Sequence, residues 1–167
     1  MNDERSRRDE ATRALAQREF RTPLVVEAGA GTGKTALLVA RVAAWCVGEG
    51  WEQEGDESRE RAAGRVIDGV VAITFTEAAA AEMAARIGEA LAGLAMGEQP
   101  VGWIPGEVIA GLEDEEIAVR AQALCGEVHR LQVTTIHAFC QRLLPRRSTP
   151  WCDVFRRVCS HQYRSLS

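Results

Sequence analysis

Three glycines, a lysine and two threonines fall together in Ala28-Gly-Ala-Gly-Thr-Gly-Lys-Thr35. Gly29, Gly31 and Gly33 let backbone N–H groups turn inward around a β-phosphate with no side chain in the way, and Ala28, Ala30 and Thr32 complete the turn. A helix opening near Gly33 would aim its positive end at the same oxygens. Lys34 reaches the β- and γ-phosphates as a compact charge, and Thr35 offers a hydroxyl to Mg²⁺. The spacing is that of a Walker A loop in its relaxed form, with Ala28 where the strict pattern has Gly. Lys34 is also the only lysine, against 19 arginines. In a chain so biased toward Arg, position 34 requires an ammonium on a flexible stem that a planar guanidinium does not replace. The loop binds phosphate in kinases, GTPases, transporters and motors alike, so it does not choose among them.

The elements around the loop fit that chemistry. Residues 5–19 read as a lead-in helix. Pro23-Leu-Val-Val-Glu-Ala28 is a short apolar run bounded by Pro and Gly, expected as a buried strand. Lys34 to about Val47 has Leu38, Val42 and Cys46 at i, i+4, i+8, an amphipathic helix. Residues 48–64 read as a polar loop, and Val66 to Phe75 as a second strand. From Glu77 a helix runs to about Ala95, with Met83, Ile87, Leu91 and Leu94 on one face. Residues 97–106 are a loop, 113–130 a helix, 131–135 a third strand and 136–144 a further helix. Alternating strands and helices with near-continuous apolar strands imply an α/β fold with a parallel sheet flanked by helices.

Composition narrows the class. The chain has 167 residues, 46% of them apolar, enough for one domain with a core. A formal net charge of −4 does not advertise a nucleic-acid partner for the whole chain, so such binding must be local. The acids Glu49, Glu52, Glu54, Asp56, Glu57 and Glu60 form a solvated stretch. No apolar run reaches the length of a membrane span, and the charged N-terminus has no apolar leader. The odd number of cysteines, with Cys46, Cys125 and Cys140 in apolar helical patterns, reads as reduced thiols of a cytoplasmic protein. Cys152, Cys159 and His161 match no usual zinc spacing.

The second strand ends in Thr74-Phe75-Thr76, at the carboxyl edge where open α/β sheets place ligands. Thr76 suits an N-cap, Glu77 suits the first turn, and the alanines 78–81 allow close packing. These need no function. Phe75 is left over, an aromatic at an exposed edge, available to stack on a base.

AGAGTGKT, then TFTEAAAAEMAARI, then TTIHAFC, in this order, resembles the N-terminal motor domain of superfamily 1 DNA helicases of the UvrD/RecB type, and looks closer to the RecB and AddA branch. The resemblance covers about residues 8–144. It implies a partial P-loop, RecA-like domain that binds ATP and Mg²⁺, within an ATP-dependent 3′-to-5′ DNA helicase of repair or recombination. Lys34 and Thr35 then carry the catalytic roles of the loop. By position, Thr74, Phe75, Thr76, Thr135 and His137 take the family's contacts to single-stranded DNA, and a nuclease or helicase partner is implied. Family members often carry a basic residue where this chain has Ala78, and the glutamine that reads adenine has Asp9 or Gln17 in its place.

The resemblance also divides the chain. Residues 1–144 correspond to the first part of the ATP-binding domain, with a helical insertion at about 97–130. Residues 145–167 are an atypical Arg-rich tail, read as the end of a truncated or frameshifted gene. By family comparison the Walker B strand and the second motor domain are absent, so the isolated chain is expected not to hydrolyse ATP. Val108-Ile-Ala-Gly-Leu-Glu-Asp-Glu-Glu116 imitates a strand ending in acids, but Gly111 interrupts it and the acids suit a helix start. Two other readings stay open. One is a non-catalytic fragment that binds nucleotide or single strands. The other is a small P-loop kinase or other NTPase, against which TFTEAAAAEM and TTIHAFC speak. Apolar sheet edges left uncovered would favour aggregation.

Overall fold

The computed structural model describes residues 2–27, 29, 31–52, 58–103 and 111–144. Helix α1 (Asn2–Arg18) leads through an irregular segment to the glycine-rich loop and α2 (Lys34–Val47). Then follow α3 (Arg59–Asp68), β1 (Val71–Thr74), α4 (Glu77–Ala95), α5 (Asp114–Glu127) with a 3₁₀ turn (Val128–Arg130), β2 (Gln132–Thr135) and α6 (Ile136–Leu143). Among the described residues the sheet has two parallel strands, with Val71, Ala72, Ile73 and Thr74 opposite Gln132, Val133, Thr134 and Thr135.

The core lies between helices. Val39, Ala43, Cys46 and Val47 of α2 meet Ala63, Val66 and Ile67 of α3, Ile87, Ala90, Leu91 and Leu94 of α4, and Ala121 and Leu124 of α5. Ile67, Ile87, Leu91 and Leu124 are fully enclosed. Each contributes about 1.5–3 kcal/mol by burial. Truncating Leu91 to Ala would cost about 2–5 kcal/mol, because the cavity it leaves relaxes only in part.

Four expectations change. Residues 66–70 are not strand: Ala62, Ala63, Val66 and Ile67 lie at i, i+1, i+4, i+5 and bury one face of α3, and the strand begins at Val71. The loop expected over 48–64 is therefore shorter, and residues 53–57 of it lie outside the described residues. Residues 23–27 belong to no strand, and Val25 is 88% exposed, so the expected buried strand is not formed there. An apolar run makes a strand only where a neighbour accepts its hydrogen bonds, and β1 and β2 pair with each other. On α2 the buried residues are Leu37, Val39, Ala40, Ala43, Ala44, Cys46 and Val47, while Leu38 is 43% exposed.

Arginines hold the connections. Arg120 of α5 donates to the Val47 carbonyl at 2.8 Å, satisfying the last turn of α2, and Arg65 donates to the Gly50 carbonyl at 3.1 Å. Buried Gln17 of α1 donates to the Gly102 carbonyl at 2.6 Å, tying α1 to the turn after α4. No helix among the described residues is long and apolar enough to cross a membrane.

Candidate nucleotide and nucleic-acid site

The phosphate loop follows from its glycines. Gly31 and Gly33 adopt φ of 74° and 80°, which side chains with a Cβ rarely reach, and α2 begins at the next residue. Lys34 Nζ donates to the Gly29 carbonyl at 2.9 Å, and Thr32 Oγ1 donates to the same oxygen at 2.8 Å. The loop thus folds around its own lysine. Gly29 and residues 31–34 are all exposed, so ligand can reach them, and Thr35 is half-buried in the first turn. Ala28 and Ala30 lie outside the described residues. Positive-φ glycines, a helix N-terminus and a reachable ammonium fit a nucleotide's phosphates, and Thr35 would hold the accompanying Mg²⁺.

A contact that sequence reasoning missed reaches this loop from α1. Arg13 Nη2 donates to the Thr32 carbonyl at 2.9 Å, while its Nε pairs with Asp9 at 3.0 Å. A side chain built at Gly33 would meet Arg13 Nη1 at 3.8 Å, so the guanidinium lies against the loop. The signal available in the sequence was the i, i+4 spacing of Asp9 and Arg13 on a helix. Of the two residues weighed for reading adenine, Asp9 is engaged by Arg13, and Gln17 is buried against Gly102.

The second part of the site is the carboxyl end of the sheet. Because Thr74 lies opposite Thr135, both strands stop at the same level and both lead at once into helices. Thr76 Oγ1 accepts the Ala79 N–H at 3.1 Å and caps α4; Thr135 Oγ1 accepts the Ala138 N–H at 3.3 Å and caps α6. Thr74 Oγ1 donates to the Thr76 carbonyl at 3.0 Å, which shapes the turn carrying Phe75. Phe75 is 92% exposed, and His137 is exposed in the first turn of α6. Thr135 is buried, and its hydroxyl donates to Glu77 Oε1 at 3.1 Å. Sequence reasoning assigned Glu77 to the helix dipole alone; its bond across to β2 needed the strand register to be seen. The parallel pairing thus sets Thr74 opposite Thr135, and Phe75, Thr76 and His137 follow directly after these two strand ends. Helix α4, which starts there, packs its other end against α2, which carries the phosphate loop.

The remaining candidates are outside this chemistry. Asp114, Glu115 and Glu116 form the first turn of α5, as their helix-start reading required; residues 104–110 lie outside the described residues. Burial pushes the Cys46 thiol up to about 12, which makes it inert. Cys125 and Cys140 are half-buried and free; Cys152, Cys159 and His161 lie outside the described residues, as does the tail after residue 144. Among the described residues no group of three or more His, Cys, Asp or Glu side chains is arranged to hold a metal ion.

Comparison with known proteins gives a consistent result. A family model described as the UvrD/REP helicase N-terminal domain matches residues 8–155. The chain is 37% identical over 123 residues to an ATP-dependent helicase/nuclease subunit of Desulforudis audaxviator, covering 74% of this chain and 8% of that protein. It is 35% identical over 125 residues to the protein of the same name from Moorella thermoacetica, covering 75% and 7%. With the one from Clostridium kluyveri the identity is 32% over 121 residues, covering 72% and 7%. The chain therefore spans less than a tenth of the length of these relatives. No solved structure matches the chain.

Proposed function

This chain belongs to the UvrD/REP helicase N-terminal domain family, and we propose that it supplies the nucleotide-holding loop and part of the single-strand grip of an ATP-dependent DNA translocase. Support comes above all from one observation, the parallel register that sets Thr74 opposite Thr135, with Phe75 and Thr76 next in the chain after the one and His137 two residues after the other. Two short stretches 58 or more residues apart share one sheet edge, with an exposed aromatic on one and an exposed imidazole on the other.

In this proposal Ala28, Gly29, Ala30, Gly31, Thr32 and Gly33 wrap the phosphates of ATP. Lys34 releases the Gly29 carbonyl to reach the β- and γ-oxygens, and Thr35 turns its hydroxyl to Mg²⁺. Phe75 stacks on a base of single-stranded DNA, while Thr74, Thr76 and His137 meet the strand beside it. Thr135 shapes the same edge through Glu77 and its cap of α6. In a whole motor, ATP would close the two motor domains and ratchet the strand past Phe75 and His137, and hydrolysis would reset them. Movement from 3′ to 5′, a role in repair or recombination, work beside a nuclease partner and a cytoplasmic location are parts of the same proposal, encouraged by the helicase/nuclease naming of the relatives.

The test measures binding of ATP with Mg²⁺, and of a thymidine oligonucleotide, to the full chain. Lys34→Ala should abolish nucleotide binding and leave oligonucleotide binding intact. Phosphate transfer to a small molecule, with no response to single strands, would defeat this function in favour of a kinase.

A further inference from the structure

We propose that Arg13, held in place by Asp9, is a positioning residue for the phosphate loop, acting through the peptide between Thr32 and Gly33. This rests on the nucleotide-binding role of the loop proposed above and adds to it a residue outside the loop's own pattern. In a trans peptide the carbonyl and the following N–H point in opposite directions. Arg13 Nη2 holds the Thr32 carbonyl at 2.9 Å on the α1 side of the loop. The Gly33 N–H is therefore turned to the other side. An anion cradled by the loop needs its N–H groups aimed inward before it arrives, and each one preset spares the cost of ordering it on binding.

The bond has the features of a built contact. Asp9 and Arg13 are one turn apart on α1, and the Asp9 carboxylate holds Nε at 3.0 Å, which fixes the plane of the guanidinium. Helix α1 is itself anchored, with Ala14, Ala16 and Gln17 buried and Gln17 bonded to Gly102. Gly33 has a φ of 80° and could swing its peptide cheaply. A brace on the neighbouring carbonyl limits that swing. Thr32 Oγ1 and Lys34 both bond to Gly29, so Arg13 is the contact on the Thr32 carbonyl that comes from another element.

The test compares binding of ATP with Mg²⁺, and of inorganic triphosphate, to the full chain and to Arg13→Ala, Arg13→Lys and Asp9→Asn. Arg13→Ala should weaken both ligands about tenfold, the loss expected of one charge-assisted bond. Arg13→Lys should recover part of the affinity, and Asp9→Asn should show a smaller loss than Arg13→Ala. Equal loss for both ligands marks an effect on phosphates; a loss for ATP alone would mark contact with the nucleoside and overturn the proposal. If Arg13→Ala does not fold, Asp9→Asn carries the test, and unchanged affinity there overturns it. Wild-type chain that binds neither ligand would fell the nucleotide-binding role itself, and Arg13's part with it. Wild-type binding matched by Arg13→Ala would fell the Arg13 proposal alone.

Discussion

The Thr135 hydroxyl donates to Glu77 Oε1 at 3.1 Å while accepting the backbone N–H of Ala138 at 3.3 Å. One side chain thus ends β2, starts α6 and ties both to the first turn of α4. The two strand ends that carry Phe75 and His137 are linked by a bond as well as by the sheet.

Replacing Thr135 with Val keeps the shape and removes both bonds. The loss of a cap and of a bond to a carboxylate should cost about 1–3 kcal/mol. Denaturant unfolding of Thr135→Val, Glu77→Ala and the double variant measures it. The double variant should lose less than the sum of the single ones, and strict additivity would show the pair to be uncoupled.

Phe75 is 92% exposed, so Phe75→Ala should leave the unfolding midpoint unchanged. If it stacks on a base, the same change should weaken oligonucleotide binding by about 1–3 kcal/mol. Fluorescence anisotropy with a labelled oligothymidylate reads this, and a lowered midpoint with unaltered binding would assign Phe75 to packing instead.

Glu19 accepts the backbone N–H of Arg21 at 2.8 Å and of Thr22 at 3.0 Å, at the turn leading toward the phosphate loop. These bonds, that from Thr22 foremost, hold its carboxyl below the ordinary 4.5. The folded state therefore favours the carboxylate. Its contribution is complete above the ordinary value and fades as pH falls through the lowered one. The stability gap between wild type and Glu19→Gln should be full at neutral pH and shrink below 4.5. A gap that stays constant from neutral to acid pH would contradict this.

Val25 is 88% exposed, and Val71 and Ile73 of β1 are each 45% exposed beside a cleft of ≈ 470 Å³ lined by Phe20, Leu38 and Trp45. Apolar backbone with unpaired groups invites another chain. Light scattering should show association rising with concentration, and Val25→Lys should reduce it. Monomer at every concentration would refute the expectation.

Much of this was legible from the residues because it is local. The loop's glycines, the Thr76 cap, the acids opening α5 and the short β2 each follow from a few adjacent positions. The segment over 59–70 was not. Val66 and Ile67 satisfy a strand and a helix equally, and Ala62 and Ala63 one turn earlier decided for α3. Residues 23–27 have the composition of a strand, yet pairing depends on what lies alongside, which composition does not encode. Arg13 against Thr32 and Glu77 against Thr135 are likewise pairs brought together by the fold, 19 and 58 residues apart.

Lys34 carries the only ε-amino group in the sequence, and it is exposed at the mouth of the phosphate loop. An amine-selective acylating reagent therefore meets two amines in this sequence, that of Lys34 and the α-amino terminus. Intact mass alone then reports on the loop: one acyl group per molecule where a ligand shields Lys34, two where it does not. The bias toward arginine makes the chain its own footprinting probe, with no label to introduce and no background lysine to subtract.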